Sequence, residues 1–67
     1  MSIIGTIKSA SGEHEMVVAV DPDDKIVIET SSPCVPLDES KAMLLIGILN
    51  AALGVLRQRE KEREGIT

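Results

Sequence analysis

Apolar positions fall into two regimes along this chain. Up to residue 30 they alternate with polar ones in short runs. From Ala42 to Leu56 they are nearly continuous, AMLLIGILNAALGVL, with Asn50 the one polar side chain. Alternation with a period of two places successive side chains on opposite faces of a strand, so the first regime predicts strands over about residues 3–8, 15–20 and 25–30. In the first, Ile3, Gly5 and Ile7 alternate against Ile4, Thr6 and Lys8. The second sets Met16, Val18 and Val20 against Val17 and Ala19, and being apolar on both faces it is the expected centre of the sheet. The third sets Ile26 and Ile28 against Lys25, Val27 and Glu29. Ser9-Ala10-Ser11-Gly12 and Asp21-Pro22-Asp23-Asp24 are turn chemistry, with Pro22 suited to the second position of a type I turn. Connections this short require antiparallel neighbours.

The second regime predicts one helix over about residues 38–64, fraying beyond Gln58. Asp38 is placed to accept from the free N–H groups of the first turn, and Leu37 and Ala42 occupy the two positions of a hydrophobic staple. Lys61 and Arg63 suit the carboxyl end, and Gly65 suits a position just past it. At about 100° per residue, Leu45, Leu49, Ala52 and Leu56 form a central stripe, with Ala42, Ile46 and Leu53 on one flank and Leu44, Ile48 and Val55 on the other. These residues cover roughly 200° of the circumference, whereas a helix lying on one sheet needs a stripe of about 100° or somewhat more. The flanks Leu44, Ile46, Ile48, Leu53 and Val55 are therefore the expected surface for self-association. Gly47, Ala51 and Gly54 lie together on another side, with the spacing that lets helices approach closely or simply fills an exposed face.

The elements add up to an α+β fold: a three-stranded antiparallel β-meander followed by one long C-terminal helix on the sheet, β-β-β-α in two layers, as one small domain over residues 1–67. Composition sharpens this picture. A 67-residue chain without Phe, Tyr or Trp, and with one cysteine, has a small aliphatic core and no internal disulfide to staple it. Oligomerisation is the remaining way to enlarge that core, so the expected first partner is a second copy of the chain.

Charge separates the two halves. Residues 1–40 carry two basic and eight acidic side chains, net −6, while residues 41–67 carry five basic and three acidic, net +2. An acidic sheet region without aromatic side chains argues against nucleic acid, since phosphate is repelled and nothing stacks on a base. It suits a basic patch on another protein, with Asp24 and Glu29 as the candidate partner surface. A membrane is disfavoured because fifteen residues of helix span about 22 Å against a hydrocarbon core of roughly 30 Å. The opening MSIIGTIKSASG does not read as a secretory signal, and one free cysteine suits a reducing compartment, so a cytoplasmic location is expected.

Two segments, IVIET at 26–30 and VPLDESKAMLLIGILNAAL at 35–53, together resemble small uncharacterised proteins of actinobacteria and their phages. The resemblance implies a bacterial or phage source and no activity, and a phage-type modulator of a host protein would be typical company.

No residue set points to chemistry. His14 stands between Glu13 and Glu15 with no second histidine, and reads as an exposed turn residue. Cys34, between two prolines, lacks a base nearby in sequence and reads as a packed thiol. Asp21, Asp23 and Asp24 lack the glycine and the final glutamate of a calcium loop. With no phosphate loop or nucleophile elbow, the expectation is a non-enzyme without cofactor or metal.

Overall fold

The computed structural model describes residues 1–9 and 11–65. Strands β1 (Ser2–Lys8), β2 (Glu15–Val20) and β3 (Ile26–Thr30) form one antiparallel sheet in the order β1-β2-β3, and helix α1 (Glu39–Glu64) packs on one face of it. This is the expected two-layer α+β arrangement. The middle strand holds most of the core: Val18, Ala19 and Val20 are buried, and Ile7 and Ala52 join them.

Register assigns the faces. Val20 lies opposite Ile26, Val18 opposite Gly5 and Ile28, and Met16 opposite Ile7 and Thr30, and this is the face under the helix. Ala19 with Ile3 and Val27, and Val17 with Thr6 and Glu29, form the outer face. The pairing of β1 shifts between Ile3 and Gly5. An extra residue in one strand reverses the alternation beyond it. Ile3 therefore does not share a face with Gly5 and Ile7, as simple alternation predicts. It stands on the outer face, exposed, while Ile4 packs against the core.

Both turns use side chains to hold backbone. In the first, the Ser9 N–H donates to the His14 carbonyl (2.8 Å), the Gly12 N–H to the Ser9 carbonyl (2.9 Å), and the buried Ser9 Oγ accepts from the His14 N–H (3.3 Å). Ala10 of this turn lies outside the described residues. In the second, Asp24 N–H donates to the Asp21 carbonyl (3.2 Å), which is the expected four-residue turn. Asp21 Oδ1 also accepts from the N–H groups of Asp23 (3.0 Å) and Lys25 (2.8 Å). Asp24 closes the turn at φ 61°, left-handed backbone that a short polar side chain tolerates better than most.

The helix begins as its sequence dictates: Asp38 is extended and its Oδ1 accepts from the Lys41 N–H at 2.9 Å. It runs without a break to Glu64, past the expected fraying point at Gln58. Gly65 does not turn left-handed there. It keeps right-handed backbone (φ −71°) and donates to the Lys61 carbonyl at 2.8 Å.

Leu45, Ile48, Leu49, Ala52, Val55 and Leu56 face the sheet, packed with Val18, Val20, Ile4 and Ile26. The spacing of three, one and three residues makes this one continuous stripe. The helix lies over β1 and β2, and at the margin of the covered face Ile28 of β3 remains 48 % exposed.

Candidate functional site

The sheet takes one side of the helix and leaves much of the rest in solvent. Of the five residues expected at a self-association surface, Ile48 and Val55 turn toward the sheet and pack on the core. Leu44, Ile46 and Leu53 stay exposed, at 49 %, 60 % and 40 %. Met43, at 65 %, joins Ile46 and Leu53 on the same flank. At about 100° per residue, this flank is centred roughly 140° from the stripe that meets the sheet. Leu44 lies on the opposite side, beside the row of Ile48 and Val55.

The two flanks differ because the helix seat is displaced toward β1. Gly5 has no side chain, and Ile48 fills the space above it. A Cβ built on Gly5 would stand 2.8 Å from Ile48 Cδ1 and 2.9 Å from Cγ1. The helix thus sinks on the Ile48–Val55 side, and the Ile46–Leu53 side lifts clear. By contrast, Cβ atoms built on Gly47 and Gly54 would meet nothing within 4 Å.

The candidate partner residues fare differently from each other. Asp24 is engaged within the chain: Arg59 Nη1 donates to its Oδ1 at 3.1 Å and to the Asp21 carbonyl at 2.9 Å, and Arg63 Nη2 pairs with its Oδ2. These contacts tie the end of the helix to the second turn. Two arginines of the last helical turns thus reach the turn between β2 and β3. Opposite charge on Asp24 and on arginines four residues apart was the available signal, but only the direction of the helix brings them together.

Glu29 is exposed on the outer face of β3, beside Val17 and close to Glu15, Thr30 and Ser31 in a shallow depression. Ser31 holds this corner, accepting from the Glu15 N–H at 2.8 Å through its Oγ and donating from its own N–H to the Glu15 carbonyl at 2.9 Å. Glu15 and Glu29 therefore present two exposed carboxylates at this corner, with Lys8 opposite Glu15 on the neighbouring strand.

Cys34, expected to be packed, is exposed in the link between sheet and helix. His14 is half-buried, with its backbone fixed by Ser9. Among the described residues, no three of His, Cys, Asp and Glu come together as a metal site, and the depressions of the surface are shallow. By length and composition α1 is apolar enough to cross a membrane, and little of that window is buried. No protein-family model, curated protein or solved structure matches the chain.

Proposed function

We propose that this chain is a small acidic binding protein, without catalysis of its own, that self-associates through the lifted flank of its helix and uses the outer sheet face to hold another protein. The observation that carries this reading is the exposure of Met43, Ile46 and Leu53 on one side of a helix whose other side already closes the core. Three large apolar side chains side by side mark a contact surface more often than isolated ones do. A chain this small, lacking disulfide and aromatic core, also gains from burying them.

Asp24 is committed to Arg59 and Arg63, so the acidic contact to another protein rests on Glu29 with its neighbour Glu15. Carboxylates on a rim steer association and set partner choice more than they add affinity. The partner chemistry that fits is a basic protein patch. The expected location of such a protein is the cytoplasm.

Sedimentation equilibrium of the full chain without detergent, over a wide concentration range, tests the self-association. The parent should show a concentration-dependent dimer or larger assembly, and Ile46→Glu should be a folded monomer. A monomer for the parent throughout sinks the reading.

A second reading follows from the length and apolar content of α1, which suit a membrane. Inserting that helix would strip Val18, Val20 and Ile26 of their cover, a cost the soluble arrangement avoids. Flotation with lipid vesicles separates the two: co-flotation of the folded protein supports the membrane, and recovery in the aqueous fraction supports the self-associating binder.

A further inference from the structure

The exposed flank of α1 has more order than a loose apolar patch. Glu39, Met43, Ile46, Asn50, Leu53 and Arg57 recur at alternating spacings of four and three, the repeat of a coiled-coil seam, and all six are exposed. The seam starts with an acid, ends with a base and is apolar between them apart from Asn50. On one side it is bordered by Ser40, Gly47 and Gly54, and both glycines look onto open space.

We infer that two copies of the chain pair along this seam with their helices antiparallel. The inference rests on the self-association proposed above and adds the direction and register of the pair. Antiparallel seams bring first-type positions of one helix opposite second-type positions of the other. In the register that covers the whole seam, Glu39 meets Arg57 of the second copy, Met43 meets its Leu53, and Ile46 meets its Asn50. The same three layers recur on the other side of the two-fold axis, so four oppositely charged side chains close the two ends. The glycines at 47 lie beside that axis and permit close approach, which leaves the Asn50 amides open to water at the edge. Antiparallel helices also align their dipoles favourably.

The rival is a parallel pair. It would set Asn50 against Asn50, a favoured contact at such a position. It would also stack Glu39 on Glu39 at one end and Arg57 on Arg57 at the other, so both ends would repel. The antiparallel pair turns both of those contacts attractive, and this charge pattern decides the direction.

Full-length chains carrying Cys34→Ser test it. Glu39→Cys and Arg57→Cys proteins are mixed, oxidised mildly and compared with each protein alone, beside sedimentation of the parent. The expected result is a disulfide between the two variants and little linkage of either with itself, because residues 39 of the two copies are separated by about 27 Å along the helix. In parallel, Glu39→Arg should weaken the dimer about tenfold, as should Arg57→Glu, and the double exchange should regain most of the loss. Circular dichroism of each variant reports whether it is folded. Self-linkage of each variant alone, or a dimer that none of the pairs cross-links, overturns the antiparallel seam while the self-association stands. A parent that remains monomeric overturns both.

Discussion

Ile48 occupies the space that a side chain on Gly5 would need. The added Cβ would approach Ile48 Cδ1 to 2.8 Å, with Cγ1 and Cγ2 at 2.9 and 3.1 Å. Three atoms of a branched side chain are too close together, so no single rotation of a chain end relieves the clash, and the helix itself must shift. Gly5→Ala should therefore destabilise the protein by about 1–3 kcal/mol, although alanine costs less entropy than glycine to order in a strand. Urea unfolding measures it. Combining Gly5→Ala with Ile48→Ala should cost less than the two single losses added, because the smaller residue at 48 admits the new methyl. Additive losses would show that the helix does not rest on Gly5.

Asp24 pairs with Arg59 and Arg63 and so ties the last two turns of the helix to the turn between β2 and β3, where Arg59 also donates to the Asp21 carbonyl. Asp24→Asn keeps a residue that tolerates φ 61° while removing the charge. Both Asp24 and Arg59 are about one third or less exposed, so the pair is screened less than a free surface pair. The expected loss is about 0.5–1.5 kcal/mol, with most of the change confined to faster amide exchange in residues 59–65. Asp24→Ala should lose roughly a further 1 kcal/mol because it adds the left-handed backbone penalty. Unchanged exchange near the helix end in both variants would show that the arginines do not hold it.

Much of this architecture was legible in the sequence because it rests on local rules. Period-two alternation placed the strands within a residue of their observed ends, and the approach to the helix was readable from Asp38. The lateral seat of the helix was not. It depends on a pairing shift at Ile3–Gly5 and on the missing side chain of Gly5, and neither has a periodic signature. The same shift put Ile3 on the wrong face of the expected strand. The helix arc was read as symmetric, so Ile48 and Val55 were grouped with Leu44, Ile46 and Leu53. In the fold Ile48 and Val55 pack on the core, while Leu44, Ile46 and Leu53 stay exposed along with Met43. Asp24 was read as free surface since its two arginines lie 35 and 39 residues away in sequence.

Asp38 gives the most local of the tests. Its carboxylate accepts from the Lys41 N–H at 2.9 Å and stands beside the positive end of the helix. Asp38→Ala should cost about 0.5–2 kcal/mol in urea unfolding, and Asp38→Ser should recover most of it by keeping an acceptor. If serine recovers nothing, charge rather than the hydrogen bond is what the helix start requires.

Gly54 separates the stability of the chain from that of its assembly. A Cβ there meets nothing within 4 Å in the single chain, and the residue lies in the middle of a helix. Relative to alanine it costs about 1 kcal/mol in helix propensity. In an Ile46→Glu background, where the seam is closed to a second copy, Gly54→Ala should raise the melting temperature by roughly 4–8 °C, the shift that 1 kcal/mol produces in a domain of this size. In the parent background the same methyl projects beside the seam. If two helices approach closely there, the substitution should weaken the dimer in sedimentation even as each chain becomes more stable. The opposite signs are the informative part, because a loss of folding would lower both quantities together. A gain in melting temperature with the dimer unaffected would mean that Gly54 lies outside the contact, and the helices would then meet along Met43, Ile46 and Leu53 without the close approach that the glycines permit.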